Sequence, residues 1–164
     1  MGSEMCIRDS FSIATARDLE LGGLDIDTAF LYAPIKEDVY IRQPLGFDDG
    51  TTNVCHLRRC LYGLKQSPRE FNELLRDWLV SQGWRQLMSD PCIYIFEADG
   101  VFAMIALYVD DLPVAGNDTA WRVAFTALVR SRFDIKDQGA LSDIIGIHIT
   151  RDRTARTISL DQGK

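Results

Sequence analysis

The chain has 164 residues and a formal net charge of −6. This length is typical of one domain with a buried core, and no apolar stretch approaches the roughly 20 residues that a membrane-spanning helix needs. The net negative charge argues against a general nucleic-acid-binding surface, because phosphates are normally bound by clustered Lys and Arg. The cysteines show neither paired metal-site spacing nor disulfide density, which favours reduced thiols in an intracellular protein; they are Cys6, Cys55, Cys60 and Cys92.

Residues 1–10 follow no helical or strand periodicity and resemble a translated sequencing adapter. We therefore expect a non-native leader that lies outside the fold, with the domain over residues 11–164. The sequence also stops at Lys164 without a helix or cap that would close a domain. This ending indicates a partial domain.

The segment from Leu24 to Asp27 alternates apolar and acidic residues. A strand with this period buries Leu24 and Ile26 on one face and turns Asp25 and Asp27 to the other face. The strand end is therefore a candidate acidic site. An ordinary half-exposed strand explains the same pattern.

Residues 32–53 are rich in turn formers and predict a long excursion with one short strand at residues 39–42. A second short strand, at residues 54–57, leads into a segment between His56 and Arg69 that contains basic residues and no acid. Its cations are Arg58, Arg59, Lys65 and Arg69. The segment is a candidate anion-binding surface, and a solvated loop explains it equally well.

The next segment predicts an amphipathic helix. Its apolar residues recur at helical spacing, as a buried stripe requires: Phe71, Leu74, Leu75, Trp78 and Leu79. Ser67 is a candidate N-cap, Pro68 a candidate first helical residue and Gly83 a candidate stop. The free N–H groups of this helix start, beside Lys65 and Arg69, favour anions.

Residues 92–97 and 101–108 are strand-like runs that flank a turn, which predicts a hairpin. The chain then passes through Asp110 and Asp111 into a further strand over residues 112–115. Both acids are therefore predicted to lie in the tight turn of a second hairpin. Two such charges repel by about 4 kcal/mol at 4 Å and an effective dielectric near 20, so a cation would stabilise them. An isolated Asp-Asp pair is also common in plain turns.

A second helix is predicted after Asp118 or Thr119, either of which can cap it. Its expected buried stripe is Trp121, Phe125, Leu128 and Val129. Residues 144–150 and 157–160 predict a third hairpin. The order of elements predicts an α+β fold in which an antiparallel sheet packs against two main helices.

Four segments, in this order and spacing, resemble the reverse transcriptases of Ty1/copia retrotransposons. They are residues 24–31, 61–69, 89–94 and 108–111, the last of which reads Tyr-Val-Asp-Asp. The resemblance covers about residues 18–163. It implies the polymerase palm fold and an RNA-directed DNA polymerase that transfers nucleotides from dNTP to a primer 3′-hydroxyl. It also implies that the start of the fingers, the thumb and RNase H lie outside this sequence.

The resemblance implies two Mg²⁺ ions, with Mn²⁺ as an alternative, because hard oxygen ligands suit Mg²⁺ and a pair of ions serves phosphoryl transfer. It assigns catalysis and metal binding to Asp25, Asp110 and Asp111, and adds the Ile26 carbonyl as a metal ligand. Asp25 is preferred to Asp27 because, in the family, the metal-binding acid stands four residues before an alanine and five before an aromatic residue. In this sequence those residues are Ala29 and Phe30.

The resemblance also implies contacts to substrates. The nucleotide would meet Phe30, Tyr62, Lys65 and Gln66, and the nucleic acid would meet Ser67, Arg69 and Gly146. Phe30 is suited to a core position as well. Two departures matter: Tyr62 stands where retroviral relatives carry glutamine, and Pro113 removes a backbone donor from the strand after the acids.

The implied partners are an RNA or DNA template with its primer, dNTP, and the remaining Pol polyprotein segments (fingers, thumb and RNase H). No membrane contact is expected, and the implied location is a cytoplasmic virus-like particle. An inactive remnant that keeps the fold and binds at most metal or nucleic acid fits the same residues. In an unrelated α+β domain, by contrast, Asp25 and Asp110 would lie well apart.

Overall fold

The computed structural model describes residues 4–162. Within them the chain divides into two compact units. The first, which we call the sheet unit, comprises the chain up to Asp27 and from Arg76 onward. The second, the excursion unit, comprises residues 28–75. The excursion predicted for residues 32–53 is thus longer than expected and forms a compact body of its own.

The described residues form three α-helices, one 3-10 helix and eleven strands. The helices are α1 Glu4–Ala16, α2 Ser67–Ser81 and α3 Thr119–Arg132, and the 3-10 helix is Ala29–Tyr32. The strands are β1 Glu20–Ile26, β2 Tyr40–Arg42, β3 Val54–His56, β4 Arg85–Gln86, β5 Ile93–Ala98, β6 Val101–Ala106, β7 Asp111–Gly116, β8 Ile135–Ala140, β9 Asp143–Ile144, β10 Ile147–Asp152 and β11 Thr157–Asp161. The predicted α+β class is confirmed.

The strands pair into three antiparallel sheets. The sheet unit holds a six-stranded sheet in the order β4-β5-β6-β7-β1-β8 and a three-stranded sheet in the order β11-β10-β9, while β2 and β3 pair in the excursion unit. The three predicted hairpins are therefore confirmed. None of the described helices is long and apolar enough to cross a membrane.

Helix α1 shows that part of the predicted leader belongs to the fold. Ile7, Phe11 and Ala14 have the i, i+4, i+7 spacing of a buried helical stripe, and at most 3% of each is exposed. They share one hydrophobic cluster with Met104 of β6 and Ile149 of β10. The expectation that residues 1–10 lie outside the fold is therefore wrong for residues 4–10, whereas residues 1–3 lie outside the described residues. The non-native origin of the segment stays a prediction.

Neighbouring glycines in β1 identify what covers each face of the six-stranded sheet. A β-carbon on Gly22 would lie 2.5 Å from the Arg122 side chain of α3. A β-carbon on Gly23 would instead lie 2.8 Å from Leu141, which belongs to the cluster around α1. One face of the sheet therefore carries α3 and the other carries α1. The prediction of two main helices is incomplete, because α1 is a third helix packed on the sheet.

The alternation predicted for the first strand is confirmed. Leu24 and Ile26 are 2% and 1% exposed, and the strand pleat places them on the α3 face with Gly22. Asp25 points to the α1 face and is half-buried. Asp27 lies beyond the end of β1 and is exposed.

The apolar stripe of α2 is confirmed by the burial of Phe71, Leu75 and Leu79, each at most 1% exposed. The helix ends at Ser81, two residues before Gly83, whose φ of 88° is left-handed. Glycine tolerates this conformation at a helix C-terminus because it has no β-carbon. The predicted stop at Gly83 is thus confirmed.

The two helix starts differ. In α3 the Asp118 carboxylate accepts the main-chain N–H of Trp121 at 2.8 Å, which confirms the predicted cap. In α2 Ser67 is itself the first helical residue, and its buried hydroxyl donates to the Leu61 carbonyl at 2.7 Å. The predicted capping role of the Ser67 side chain is therefore wrong, because the hydroxyl is bonded outside the helix.

The predicted stripe of α3 needs one correction. Phe125 and Val129 are buried, but Leu128 is 40% exposed and Thr126 is 5% exposed. The buried face of the helix therefore runs through positions 125, 126 and 129. Leu128 precedes Val129 by one residue, which turns its side chain about 100° away around the helix axis.

Candidate active site

Two acids from distant parts of the sequence face each other at the tips of β1 and β7. Asp25 pairs in register with Asp111. Asp111 exchanges two main-chain hydrogen bonds with Tyr108, at 2.9 and 3.0 Å, so its backbone polar groups point toward β6. Asp25 and Asp111 consequently form a non-hydrogen-bonded antiparallel pair, in which side chains lie on one face and the Cα atoms are about 4.5 Å apart.

Asp110 lies in the two-residue turn that connects Tyr108 to Asp111. The Ile26 main-chain N–H donates to the Asp110 carbonyl at 3.0 Å, which ties the end of β1 to this turn. The expectation that both acids lie in the turn is wrong for Asp111, which opens β7. The reason is that a two-residue turn has room for Val109 and Asp110 only.

Val109 adopts a backbone conformation that is unusual for its type. Its φ is 58°, in the left-handed region that a β-branched side chain disfavours. Tight hairpins demand a positive φ at the first turn position, since this matches the twist of the flanking strands. The strain of Val109 therefore accompanies the placement of Asp110 at the tip of the hairpin.

The three carboxylates disturb one another electrostatically. The pKa of Asp111 is raised to about 6, first by burial and then by the charges of Asp110 and Asp25. The pKa of Asp25 is also raised, first by burial and then by Asp110 and Asp27, with Lys136 opposing the shift. The fully ionised cluster is therefore unfavourable unless a cation lies nearby. Asp25 and Asp110 do not lie well apart, which contradicts the interpretation as an unrelated domain.

Lys136 is a neighbour of the site that the sequence did not reveal. It lies on β8, in register with Asp25 and on the side opposite to Asp111. Strand β8 is an edge strand whose residues are all exposed or half-buried. Its polar sequence has no strand periodicity, so only the pairing identifies Lys136 as the cation beside Asp25.

The carboxylates at the strand tips do not form a complete metal site by themselves. Within residues 4–162 no group of three or more His, Cys, Asp or Glu side chains is arranged to hold a metal ion by itself. The set at the strand tips therefore differs from a closed structural metal site, in which protein side chains supply all the ligands.

Pro113 interrupts the hairpin that carries the acids. Strands β6 and β7 pair at Ile105 with Val114, and a separate bridge joins Tyr108 to Asp111. No pair is formed between these two points. By alternation, position 113 would direct its N–H toward β6, and proline has no N–H to donate. The predicted loss of a ladder hydrogen bond is confirmed.

The residues predicted to contact the nucleotide lie in the excursion unit. Phe30 is buried at 7% exposure, with its ring centroid 4.6 Å from that of Tyr62 and 6.2 Å from that of Phe71. Phe30 is therefore a core residue of this unit, which confirms the core position given above as the alternative to a nucleotide contact. Tyr62 and Lys65 are exposed and Gln66 is half-buried. Nucleotide contacts of these residues stay predictions.

Two of the three residues predicted to contact nucleic acid, Arg69 and Ser67, are engaged by other residues of this chain. Arg69 forms ion pairs with Glu37 at 3.2 Å and Glu70 at 2.8 Å, and the Ser67 hydroxyl is bonded as described above. Gly146 lies in the turn between β9 and β10 with a φ of 75°. Contacts of these three residues with a template or primer stay predictions.

Comparisons with known proteins identify the family of this chain. The family described as "Reverse transcriptase (RNA-dependent DNA polymerase)" matches residues 5–163. The chain is 37% identical to the "Retrovirus-related Pol polyprotein from transposon TNT 1-94" of Nicotiana tabacum, a match that covers 96% of this chain and 12% of that protein. It is 34% identical to the Pol polyprotein from transposon RE1 of Arabidopsis thaliana, with 93% and 11% covered.

A yeast relative extends the comparison. The chain is 31% identical to the "Transposon Ty1-BR Gag-Pol polyprotein" of Saccharomyces cerevisiae, over 88% of this chain and 8% of that protein. No solved structure matches the chain with statistical significance. The chain spans about an eighth of the length of these relatives or less. It belongs to the reverse transcriptase family, as part of the reverse transcriptase domain of the Ty1/copia-type Pol polyproteins.

Proposed function

We propose that this chain is part of the palm of an RNA-directed DNA polymerase, in which Asp25, Asp110 and Asp111 support nucleotide transfer from dNTP to a primer 3′-hydroxyl. The observation that carries the proposal is the direct cross-strand pairing of Asp25 with Asp111, beside the turn that holds Asp110. Phosphoryl transfer needs convergent carboxylates of this kind, because charge develops on both the attacking and the leaving oxygen.

The donor set fits Mg²⁺, with Mn²⁺ as an alternative. Asp25, Asp110 and Asp111 offer hard carboxylate oxygens, and the raised pKa values of Asp25 and Asp111 indicate a site that a divalent cation would stabilise in its ionised form. The Ile26 carbonyl is a candidate further ligand. Few protein oxygens are needed for Mg²⁺, because this ion retains waters and shares substrate phosphates. When bound, the metal would supply Lewis acidity at the reacting phosphate.

The chain's own residues would hold this site in place. The hydrogen bond from the Ile26 N–H to the Asp110 carbonyl couples the two strand tips, and the strand register keeps the Asp25 and Asp111 side chains on one face. Lys136 lies beside Asp25 and reduces the repulsion within the carboxylate cluster. Preorganisation of this kind lowers the cost of reaching the transition state.

The direct test is primer extension by this chain inserted into a related copia-type Pol protein in place of the matching segment. We expect Mg²⁺-dependent extension of a DNA primer on an RNA template, reduced by roughly 10²–10³-fold in Asp110→Asn. Extension that is unchanged by Asp110→Asn would overturn the assignment of Asp110. Mg²⁺ binding without extension by the unsubstituted chimera would favour an inactive remnant.

The partners and the location follow from the same proposal. We propose an RNA or DNA template with its primer, and dNTP, as substrates, and the other Pol segments as neighbours in one polyprotein. The relatives are Pol and Gag-Pol polyproteins, which supports the second point. We also propose a cytoplasmic virus-like particle as the location.

A further inference from the structure

The β2–β3 hairpin of the excursion unit exposes one complete face. Tyr40 pairs with His56 and Arg42 pairs with Val54. Burial alternates along both strands, with these four residues exposed and their intervening neighbours half-buried. Because alternate residues of a strand share a face, the four side chains lie together on the solvent side. We call this surface the hairpin face.

Two rings on the hairpin face are already stacked. The Tyr40 and His56 ring centroids lie 4.7 Å apart with their planes at 21°, although Tyr40 is 58% exposed. The His56 Nε2 atom lies 3.2 Å from a carboxylate oxygen of Asp38, which restrains the imidazole. Exposed, restrained rings provide a platform for nucleobases, since every base has a π face and needs no sequence-specific contact.

The cations of this unit differ in their availability. Arg59 donates to two main-chain carbonyls, and Arg69 is held in ion pairs with two glutamates. Arg42 and Arg58 are exposed, and among residues 4–162 no hydrogen bond or ion pair engages either guanidinium group. The basic segment seen in the sequence is thus partly used internally, while Arg42 and Arg58 remain available for phosphates.

The positions of the two available cations match the platform. Arg42 follows Tyr40 by two residues within β2. Arg58 follows His56, the last residue of β3, by two residues. Along β2 the step to Arg42 leads about 7 Å away from the ring pair. Arg58 lies past the end of β3, where the chain bends, and the hydrogen bond from the Leu57 N–H to the Val39 carbonyl shows that the chain there runs away from Arg42. A strand whose base stacks on the rings would therefore have phosphates near a cation on either side.

We propose that the hairpin face is a docking surface for single-stranded nucleic acid. Bases stack on the Tyr40 and His56 rings, and the phosphates on either side meet Arg42 and Arg58. The choice of nucleic acid over a protein partner follows from the combination of an exposed ring stack, which suits bases, with two guanidinium groups that have no carboxylate partner within residues 4–162, which suit phosphates. The inference rests on the proposed function, which supplies a template strand as the occupant, but it uses none of the proposed metal ligands.

The test measures binding by fluorescence anisotropy, with the full 164-residue chain and fluorescein-labelled 12-nucleotide poly(U) or poly(dT). The buffer contains EDTA and no dNTP. Tyr40→Leu keeps an apolar side chain and removes the ring, so we expect affinity to fall roughly tenfold, while Tyr40→Phe keeps most of it. Loss on both oligonucleotides supports stacking without sugar preference, and loss on one alone identifies the preferred strand.

The cations are tested through salt dependence. Replacing both Arg42 and Arg58 with alanine should flatten the slope of log affinity against log salt by about 1.4, since each phosphate contact on a single strand contributes about 0.7. Arg130→Ala, an exposed arginine of α3 in the sheet unit, is the matched control and should leave the slope unchanged. An unchanged slope in the double variant would overturn the phosphate contacts.

A second aromatic control separates stacking from a general effect on the hairpin. Phe47 is 81% exposed on the loop between β2 and β3, so Phe47→Leu should bind like the unsubstituted chain. Equal losses in Phe47→Leu and Tyr40→Leu, unchanged binding by Tyr40→Leu at an unchanged melting temperature, or no binding by the unsubstituted chain would overturn the proposal. Because the assay contains no metal or dNTP, an inactive chimera with ring-dependent binding contradicts only the catalytic proposal.

Discussion

The sheet unit and the excursion unit are stabilised and charged in different ways. The excursion unit has six Lys and Arg residues and six Asp and Glu residues, so the net charge of −6 belongs to the sheet unit. In the sheet unit strand register brings acids together at Asp25 and Asp111, where burial raises both pKa values. In the excursion unit ion pairs neutralise a buried acid, Glu70, which Lys36 contacts at 2.9 Å and Arg69 at 2.8 Å.

This difference separates two uses of charge. An acidic cluster with no closed set of counter-ions favours a cation as its ligand, whereas ion pairs that are already complete serve stability. Arg69 illustrates the second case, because its guanidinium group is bound to two glutamates. Charge in this protein is therefore informative about function only where the structure leaves it uncompensated.

The largest effect is expected at the strand tip of the sheet unit. In the chimeric polymerase, Asp25→Asn should lower primer extension by roughly 10²–10³-fold, because it removes a carboxylate that faces Asp111. Asp27→Asn is the matched control, since Asp27 lies beyond β1 and is exposed, and it should change the rate less than about threefold. Equal effects of the two substitutions would show that strand register does not select the catalytic acid.

The next effect concerns the buried acid of the excursion unit. Replacing both Lys36 and Arg69 with methionine leaves the Glu70 carboxylate, 1% exposed, without a cation. The free energy of unfolding, measured by urea denaturation, should fall by about 3 kcal/mol. Adding Glu70→Gln to the double variant should restore part of the loss, because the buried charge is then absent. No restoration would mean that lost packing, rather than the unpaired charge, causes the destabilisation.

A smaller effect tests the corrected face of α3. Val129 is fully buried, so Val129→Ala should lower the free energy of unfolding by about 2 kcal/mol through lost burial and a cavity. Leu128→Ala, at a 40% exposed position, should cost less than about 0.5 kcal/mol. Urea denaturation at one pH measures both. A loss of free energy of unfolding that is larger for Leu128→Ala than for Val129→Ala would support the buried stripe predicted from the sequence.

The smallest effect is a pH dependence that belongs to the sheet unit. Because the folded-state pKa of Asp111 is raised to about 6 from its ordinary value of 3.8, the folded chain binds the proton more tightly than the unfolded chain does. In the absence of divalent cations, the protonated Asp111 therefore stabilises the fold at low pH, and this contribution is lost as the pH rises from about 4 to about 6. The expected loss is about 1 kcal/mol after allowance for solvent screening.

Asp111→Asn serves as the control for this pH dependence. Denaturation at pH 4.5 and pH 7 should show a smaller difference for Asp111→Asn than for the unsubstituted chain, since the amide does not titrate. The Glu70 carboxyl works in the opposite direction, because Lys36 and Arg69 lower its pKa. Its contribution is present above pH 4.5 and is lost as the pH falls further. A difference that persists in Asp111→Asn would assign the effect to another group.

Local patterns in the sequence predicted much of the fold. The period of two in β1 identified Leu24 and Ile26 as buried, and the helical spacing of α2 identified Phe71, Leu75 and Leu79. Turn formers located the hairpins. These features are local, because a buried face must repeat with the period of its own element.

The errors arose where local patterns were interrupted or weak. The buried spacing of α1 continues past residue 10, from Ile7 to Phe11 and Ala14, so residues 1–10 by themselves show no helical period. The sequence does not predict strand β8, because an exposed edge strand needs no apolar face and so shows no period of two. Leu128 has the helical spacing of the apolar stripe, seven residues after Trp121 and three after Phe125, but it lies at the edge of the buried face and is 40% exposed.

By itself, the sequence determined that acids stand at a strand end and in a hairpin tip, because alternation and turn chemistry depend only on neighbouring residues. Only the tertiary structure decided that Asp25 faces Asp111 and that Lys136 lies beside Asp25. It alone also decided that Arg59 and Arg69 are engaged internally while Arg42 is not. The physical reason is that strand register and ion pairing join residues far apart in the chain, and no local period encodes those partners.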